Sequence, residues 1–537
     1  MKTFLKNAKI YDGTGTEAFD GGVLIDGERI SAVFKSAEVK GKEPEAGKVI
    51  DLKGLSLAPG FIDAHSHNDW FAVKKDPIPY FEPFIRQGIT SFVAGNCGLS
   101  IIGAAHGSPH MDKVGAGLFF NDESVGEISS AKELFDAVDA NSPANIAACV
   151  GHCSARTGIS GYENRPLSEK ELQSMIDTMD QAMSEGACGG SLGLMYEPGI
   201  YAPKEELRAV AELCAKRGKP LTVHPRACSA VSMAYSSPFG RPHILRALDE
   251  LHEMSKGLNL KLHYSHAIFV GEKTFRAHEE MLQIFSQMRS GGIDLWFDIY
   301  AETMGVSVIT VIAPVWWLSA SEAEKAKFAN RLKFKLLGQV SMILLGFTLK
   351  DMQIACLGKG LEQYEGKRVD EIAKEMKVSP LDAYIKLCGL SNNLGRVNMY
   401  RYSTPEIISK LSKHENVLYM TDAWIEKLGV QNPAAFDCFP KFLQLSLKGT
   451  GDTMPKTIRK MTGATADRFC LPERGYIKEG GFADLTVFDE KEVLDGIPDR
   501  FKAFGIKRVF INGLEVLEND DLKKDALRHA GKAMRVK

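Results

Sequence analysis

The chain is poor in cysteine, lacks a long apolar run and carries almost no net charge. Ten cysteines among 537 residues are too few for a disulfide scaffold, and most lie in apolar surroundings typical of reduced, buried thiols. The most apolar stretch, residues 336–349, includes Gln339 and is too short to span a bilayer. Lysines at positions 2, 6 and 9 interrupt any signal-peptide core. We therefore expect a cytoplasmic protein.

The charge balance narrows the range of partners. The net charge is -2, so neither a nucleic acid nor an anionic membrane would be attracted by a surplus of positive charge. The composition, 44% hydrophobic and 25% charged, is that of an ordinary globular protein. We expect a small-molecule partner, no nucleic acid and no membrane, and the sequence leaves homo-oligomer formation open.

The two ends of the chain have the same pattern of short alternating strands. Residues 3–57 contain three such stretches separated by turn signals such as Asp12-Gly13 and Asp26-Gly27. Residues 482–489 and 507–517 repeat the pattern, with Asn512-Gly513 as a tight turn. We predict a small β-sandwich domain assembled from both termini, residues 1–57 and 476–537.

The middle of the chain alternates apolar strand candidates with helical stretches. Two of the helical stretches, 168–186 and 203–218, end in glycine, a usual helix stop. Eight strands with helices between them predict an α/β fold, a TIM-like (β/α)8 barrel over residues 58–475, and the long excursion at about 301–415 predicts a helical insertion. The strand candidates are GFIDAHSH (60–67), SFVAGN (91–96), NIAACVGH (145–152), GGSLGL (189–194), KPLTVHP (219–225), KLHYSHA (261–267), DLWFDIY (294–300) and NVLYMTD (416–422).

Ligand-type side chains recur where these strands end. His65 and His67 are two residues apart on one strand, so both imidazoles project from the same face and can address one metal ion. The carboxyl ends of barrel strands meet at one face, where such enzymes place their chemistry. Seven strand ends carry His, Cys or Asp although only 13 of the 537 residues are histidine; the residues are His65 with His67, Cys97, His152, His224, His266, Asp298 and Asp422.

A catalytic zinc ion typically takes three protein ligands and leaves a fourth position for water. Cys97, His224 and His266 would supply a thiolate and two imidazoles. Zinc lowers the pKa of bound water to about 7, which gives a hydroxide nucleophile at neutral pH. Asp422 is the carboxylate that would move the proton from the water to the leaving nitrogen.

These residues carry a resemblance over nearly the whole chain. The sequence resembles the amidohydrolase superfamily and, within it, the N-acyl-D-amino-acid deacylases (D-aminoacylases). The motifs are APGFIDAHSHND (58–69), GNCG (95–98), TVHPR (222–226), SH (265–266), FDIY (297–300), an Asp at 422 and the tail KMTGATADRFCLPERGYIKEGGFADLTVFD (460–489).

The resemblance implies one tight zinc site and a second, weaker metal position. Cys97, His224 and His266 would hold the tight zinc, while His65 and His67 would hold the second ion and Asp422 would act as general acid/base. Many relatives bridge two metals with a carboxylated lysine after the fourth strand, but NIAACVGH has no lysine. Cys97 stands after the preceding strand instead, which disfavours a hydantoinase or dihydroorotase reading.

The chain differs from the D-aminoacylases that it resembles at the positions with which that family binds the substrate carboxylate. The family's lysine after SHH is absent from Ser265-His266-Ala267-Ile268, and its HPR arginine is absent from Asn432-Pro433-Ala434. Losing a Lys and an Arg removes charge-assisted hydrogen bonds to an anion, so we hypothesise a pocket that requires no free α-carboxylate in the usual place. The remaining substrate-binding candidates are His152, Arg226 as an anion contact, Tyr300, and Glu302 as a contact for a cationic or amide group.

Three functions remain open at this point. The first is hydrolysis of a linear amide, as in N-acyl-D-amino-acid deacylases. The second is cyclic amide opening or deamination on the same scaffold. The third is a non-catalytic barrel that binds a ligand, since the carboxylate-anchoring residues are missing. Cys153 and Cys228 lie near the proposed site loops but show no ligand pattern, so we interpret them as structural. His263, three residues before His266, is expected to face the opposite side of its strand and to serve in packing. We interpret Asp298 as a hydrogen-bond partner behind the proposed ligands, and Asp63 as a residue that orients a histidine or caps its strand.

Overall fold

The computed structural model describes residues 2–36, 43–115, 119, 128–232, 234–235, 240–318, 320–496 and 504–537. The strands are β1 (Thr3–Ile10), β2 (Phe19–Asp26), β3 (Arg29–Lys35), β4 (Lys48–Asp51), β5 (Ser56–Pro59), β6 (Phe61–Asp63), β7 (Ile89–Ala94), β8 (Asn145–Gly151), β9 (Gly189–Gly193), β10 (Leu221–His224), β11 (Lys261–Tyr264), β12 (Asp294–Ile299), β13 (Met304–Val308), β14 (Met352–Cys356), β15 (Arg396–Tyr400), β16 (Val417–Tyr419), β17 (Leu485–Phe488), β18 (Ile506–Ile511), β19 (Leu514–Glu518) and β20 (Asp521–Leu522). The α-helices are α1 (Asp69–Ala72), α2 (Ile78–Ile85), α3 (Ala131–Asn141), α4 (His152–Ser160), α5 (Glu169–Ser184), α6 (Lys204–Arg217), α7 (His243–Ser255), α8 (Ala277–Ser290), α9 (Val315–Leu318), α10 (Glu322–Ala326), α11 (Phe328–Leu345), α12 (Val369–Glu375), α13 (Pro380–Leu390), α14 (Pro405–Ser412), α15 (Ala434–Leu447), α16 (Met454–Met461), α17 (Gly463–Arg468), α18 (Glu490–Asp495) and α19 (Lys524–Leu527).

Eight parallel strands form the barrel that the sequence predicts. Their order is β6-β7-β8-β9-β10-β11-β12-β16, so every strand candidate is confirmed in its predicted place. The first and last strands meet through the backbone: the Ala64 N–H donates to Tyr419 O at 3.3 Å and the Asp422 N–H to His65 O at 3.1 Å. These bonds bring the residues after β6 and β16 together at one end of the barrel.

Local sequence explains why the barrel elements form. Every residue of β8 is buried, as expected for a parallel strand covered on both faces. Helix α5 begins at a capping box in which Ser168 and Glu171 satisfy each other's backbone N–H groups, and it buries Met175 and Met179 on one face. The predicted helix at 203–218 is α6, which ends at Gly218 in the left-handed region.

The strands near the two termini form one nine-stranded sheet. Its order is β20-β19-β18-β17-β5-β1-β2-β3, with β4 paired to β1. Residues from both ends share one apolar core, since Leu5 and Ile10 of β1 cluster with Leu485 of β17 and Phe510 of β18. Neither end can bury its apolar face without the other. The residue boundaries of this domain are still only a prediction from the sequence.

The excursion between β12 and β16 contains more than helices. It holds helices α9 to α14, as expected, and also a three-stranded antiparallel sheet in the order β13-β15-β14, which was not predicted. Each of these strands has five residues, and β14 and β15 are separated by two helices, so local periodicity does not reveal the pairing. Within the part of the chain that the structure describes, no helix is long and apolar enough to cross a membrane.

Candidate metal centre

Residues that follow the barrel strands converge at one end of the barrel. Cys97, His266 and Asp422 lie in the short turns after β7, β11 and β16, and each has a left-handed backbone, with φ of 54°, 35° and 47°. Non-glycine residues rarely adopt this conformation, and holding each one there costs on the order of 1–3 kcal/mol. The surrounding barrel fixes these turns, and the turns aim the three side chains toward one another.

The Cys97 sulfur is the centre of the tightest group. Cys97 Sγ lies 3.3 Å from His65 Nε2, 3.5 Å from His224 Nδ1 and 3.6 Å from His266 Nε2. The donor atoms of Cys97, His224 and His266 all lie within 4.8 Å of one another, and the three residues are buried. A tetrahedral zinc ion with its usual bond lengths separates its sulfur and nitrogen ligands by roughly 3.5 Å. The donor set and its sulfur–nitrogen spacing therefore fit zinc, while His224 Nδ1 and His266 Nε2, now 2.6 Å apart, would separate to bind it.

A second group shares the same cysteine. His65, His67, Cys97 and Asp422 also place one donor atom each within 4.8 Å of the others. Asp422 Oδ1 lies 3.5 Å from His65 Nε2 and 3.6 Å from His67 Nε2. The Asp422 side chain is 21% exposed, whereas those of His65 and His67 are 0% and 3% exposed. The carboxylate is thus the part of this group that solvent or a small molecule can reach.

The charges in this cluster favour a thiolate. Burial opposes ionisation of Cys97, but the positive charges of His65 and His224 outweigh it and hold the Cys97 pKa well below its usual value. Burial alone would lower the pKa of His65, yet the charges of Cys97 and Asp298 raise it well above the ordinary value. Burial likewise lowers the pKa of His67, and its hydrogen bond to Asp422 helps raise it to about 9. Zinc would replace these protons as the partner of the sulfur.

Asp298 contacts two of the proposed metal ligands, His65 and His266. Its carboxylate lies 3.3 Å from His65 Nδ1 and 2.9 Å from His263 Nε2, and it accepts the backbone N–H of His266. Burial would raise the Asp298 pKa, but the charges of His65 and His263 lower it well below the usual value. A carboxylate behind a ligating histidine fixes the ring orientation and makes the imidazole a better ligand.

His263 contacts the Asp298 carboxylate and therefore does more than pack in the barrel core. We expected it to face away from His266, but its contact with Asp298 joins it to the same network. Strand β11 ends at Tyr264 and His266 has a positive φ, so side-chain alternation does not extend from His263 to His266. The sequence contains no local signal for this break.

The loop that carries Cys97 is fixed by close packing and by Asp69. Asp69 Oδ2 accepts from Ser100 Oγ and from the Ile101 N–H, both at 3.0 Å. Gly193, the last residue of β9, lies so close to Cys97 that a Cβ there would overlap the Cys97 carbonyl oxygen. Glycine at 193 is therefore required for this loop to reach the barrel.

Two of the predicted substrate-binding residues already have hydrogen-bond or ion-pair partners within the protein. His152 Nε2 lies 2.7 Å from Glu206 Oε1, and Glu206 also accepts from Arg156. The Arg226 guanidinium forms an ion pair with Glu250 and donates to the carbonyl oxygens of Ile200 and Ala202. Substrate contacts by His152 and Arg226 remain predictions, and each side chain would have to exchange these partners to make one.

Tyr300 and Glu302 differ in their surroundings. The Tyr300 hydroxyl is buried and has no hydrogen-bond partner among the described residues. Burial raises the Tyr300 pKa well above its usual value, and the nearby charge of Asp422 adds to this rise. Glu302 Oε1 lies 2.5 Å from Lys441 Nζ, which also contacts Asp437 at 3.0 Å. The phenol is thus a candidate donor to a bound molecule, whereas Glu302 is held by Lys441.

Three further residues lie beside the cluster: Tyr196 and Trp424, which were not predicted, and Cys228, which was interpreted from the sequence as structural. The Tyr196 ring lies 4.6 Å from the His224 ring, centroid to centroid. Burial raises the Cys228 pKa, but hydrogen bonds with His224 and His266 outweigh it and lower the pKa to about 7, so Cys228 is part of the site's surroundings. The Trp424 ring lies 5.6 Å from His67, and its Nε1 donates to Glu426 Oε1 at 2.7 Å. Position after a barrel strand is the only sequence signal that these residues share.

Comparison with known proteins agrees with this geometry. Residues 48–161, which contain His65, His67 and Cys97, match the model of the amidohydrolase family. The chain is 26% identical to a D-aminoacylase of Alcaligenes xylosoxydans xylosoxydans, covering 99% of this chain and 96% of that one. It is 25% identical to an N-acyl-D-aspartate deacylase of the same organism, covering 96% and 92%.

Two solved structures share this fold. A D-aminoacylase with a binuclear metal centre superposes with a TM-score of 0.77 at 24% identity, covering 100% of this chain and 99% of that one. The N-acyl-D-glutamate deacylase of Bordetella bronchiseptica, in complex with zinc and a phosphonate inhibitor, gives a TM-score of 0.77 at 23% identity and covers 99% of each chain. The predicted barrel with an additional domain is confirmed.

Proposed function

We propose that this chain is a zinc-dependent hydrolase of the amidohydrolase family that cleaves the linear amide bond of N-acylated D-amino acids or closely related compounds. The observation that carries the proposal is the convergence of Cys97, His224 and His266 within bonding reach of one cation. The relatives that match nearly the whole chain are deacylases of N-acyl-D-amino acids. The cyclic amidase reading has weaker support, since a hydantoinase superposes with a TM-score of only 0.55.

The roles of the residues follow from their positions. Cys97, His224 and His266 would hold the tight zinc, and His65 with His67 would complete a weaker second position. Zinc supplies Lewis acidity, which lowers the pKa of a water to about 7 and polarises a carbonyl. Asp422, the more exposed member of its group, would accept the proton of the attacking water and deliver it to the leaving nitrogen.

The surroundings of the cluster suggest how substrate is bound. Tyr300 would donate its hydroxyl hydrogen to the substrate, since that hydroxyl lacks a partner among the described residues. Arg226 is paired with Glu250 and Glu302 with Lys441, so neither is a ready anchor for a substrate charge. This arrangement supports a pocket that does not depend on an α-carboxylate in the usual place. The ten cysteines are all free, in keeping with a cytoplasmic location.

The test measures zinc and activity on the same preparation. Purified full-length protein is analysed for bound metal and assayed against N-acetylated D- and L-amino acids, the corresponding amides, dipeptides and cyclic imides. We expect about one tightly bound zinc per chain and release of free amine from the linear amides. Little difference between acids and amides would support the carboxylate-independent pocket.

A matched pair of cysteine variants isolates the metal ligand. Cys97→Ala is expected to lose both tight zinc and turnover, while Cys149→Ala, which removes another fully buried thiol of the barrel, keeps both. Absence of zinc from the folded protein would favour the non-catalytic barrel. Turnover of cyclic imides without turnover of linear amides would overturn the assignment in favour of a cyclic amidase.

A further inference from the structure

Helix α11 has an apolar face that is exposed to solvent and not covered by another described part of the protein. Among the described residues, thirteen large hydrophobic side chains are exposed, and seven of them lie on this one helix, so the exposure is concentrated there. Phe328 is 82% exposed, Leu336 60% and Ile343 57%. The remaining four are Leu332, Leu337, Val340 and Leu344. Contiguous apolar patches of this kind mark interaction sites.

The helix has two distinct sides. Phe334, Gly338 and Met342 are buried against the body of the protein. At 100° per residue, Leu332, Leu336, Val340 and Ile343 fall within an arc of about 80° on the opposite side. The half of the helix that faces away from the body contains only two polar residues, Lys333 and Gln339. We call this half, defined by the seven exposed apolar residues, the α11 face.

The charges around the α11 face argue against a lipid surface. Lys325 and Lys327 are paired with Glu322 and Glu324. Arg331 and Lys335 are both paired with Asp382, at 3.6 Å and 2.7 Å. The second half of the helix, residues 336–345, has no charged residue. A helix that lies on an anionic membrane needs free basic groups along its length, whereas the one remaining basic side chain of this helix, Lys333, lies over the Trp316 ring at 4.6 Å.

The area of the α11 face matches one side of a stable interface. Taking about 200 Å² for a fully exposed large apolar residue, the seven residues together expose roughly 750 Å². A standard protein–protein interface buries about 800 Å² on each partner, with an uncharged centre and a charged rim. The α11 face resembles this composition: Lys333 is its one charged residue, and the ion pairs of Lys327 and Lys335 lie before the helix and along its edge.

We infer that the α11 face is the contact between two copies of this chain, related by a two-fold axis with the two α11 helices antiparallel. In this arrangement the basic first half of each helix lies against the uncharged second half of its partner, so lysines do not oppose lysines. Leu336, near the middle of the helix, meets the same region of the partner. The same patch is buried on both copies, as a closed dimer requires.

Sedimentation of the full chain tests the inference. The chain has a mass of 59.0 kDa, and the wild type is expected to sediment as a species of twice that mass at micromolar concentration. The double variant Leu336→Asp with Val340→Asp is expected to sediment as a monomer, with an unchanged circular dichroism spectrum, because both side chains are exposed in the single chain. Leu514→Asp, an exposed leucine on β19, is the matched control and is expected to remain dimeric.

Crosslinking tests the orientation. Cys470 is the one exposed cysteine of the ten, so a Cys470→Ser background removes the accessible native thiol. A short bismaleimide is expected to join Leu336→Cys chains into a covalent dimer and to leave Leu514→Cys chains unjoined. A wild type that is monomeric at every concentration overturns the inference, as does a dimer that survives both aspartates. Flotation of a monomeric chain with anionic vesicles, abolished by the aspartates, would overturn it and assign the face to lipid.

Discussion

At the scale of single residues, Asp298 decides the orientation of two proposed ligands at once. Its carboxylate contacts the His65 ring and the His266 backbone, and His263 holds it from below. Asp298 lies in the last three residues of β12, which are all buried, and an ionised carboxylate is stable there only with such donors. The sequence indicated a supporting hydrogen-bond role for Asp298, but the three simultaneous donors come from β6 and β11 and are visible only in the fold.

We predict that Asp298→Asn weakens zinc binding without unfolding the protein. The amide keeps the size of the side chain but loses the charge that orients His65 and strengthens it as a ligand, and changes of this kind typically cost 10–100-fold in metal affinity. Competition with a fluorescent zinc chelator measures the change. Asp294→Asn, at the start of the same strand and paired with Arg468, is the control and should bind zinc as the wild type does.

We predict that Asp422→Asn keeps its zinc and loses turnover by a factor of about 10² or more. Cys97, His224 and His266 form a complete ligand set without Asp422, while the proton transfer assigned to the carboxylate is lost. Metal analysis and steady-state kinetics on one preparation check both halves of the prediction. Turnover close to that of the wild type would mean that another group serves as the base.

At the scale of elements, the joint between β6 and β16 brings His65 and Asp422 together. The Asp63 carboxylate accepts the Thr421 hydroxyl at 2.6 Å and the Thr421 N–H at 3.0 Å. Both side chains are completely buried, and burial raises the Asp63 pKa to about 7 despite these bonds. We read Asp63 from the sequence as a histidine-orienting or strand-capping residue. In the structure it links the first barrel strand to the last.

We predict that Thr421→Val destabilises the barrel by about 1–3 kcal/mol, because a buried carboxyl oxygen loses its hydroxyl donor. The expected readout is a lower midpoint in chemical denaturation followed by circular dichroism. Thr178→Val removes a hydroxyl of the same kind from a partly exposed position on α5 and serves as the control. An equal shift in the two variants would show that the Asp63 contact adds no special stability.

At the scale of the whole molecule, the last residues of the chain support the end of the barrel opposite the metal centre. The Met534 N–H donates to Ile146 O at 2.8 Å and the Val536 N–H donates to Gly186 O at 2.9 Å. The buried ammonium of Lys219 donates to Val536 O at 2.9 Å. Residues more than 300 positions apart in sequence therefore depend on one another.

We predict that removing residues 530–537 lowers the thermal midpoint by several degrees although these residues lie far from the ligands. The deletion removes at least three hydrogen bonds, each worth about 1 kcal/mol net, together with the buried Met534 and Val536. Differential scanning calorimetry measures the loss. Removal of Lys537 alone, which is exposed, should leave the midpoint unchanged. A thermal midpoint equal to that of the wild type after the longer deletion would contradict the supporting role of this tail.

The sequence by itself determined the barrel and grouped the candidate metal ligands. Parallel strands place their carboxyl ends on one face, so His65, Cys97, His224, His266 and Asp422 could be grouped from strand positions alone. Only the tertiary structure decided the part of His263, the pairing of Arg226 with Glu250 and the exposure of the α11 face. These features depend on contacts between elements distant in sequence, and local periodicity carries no information about such contacts.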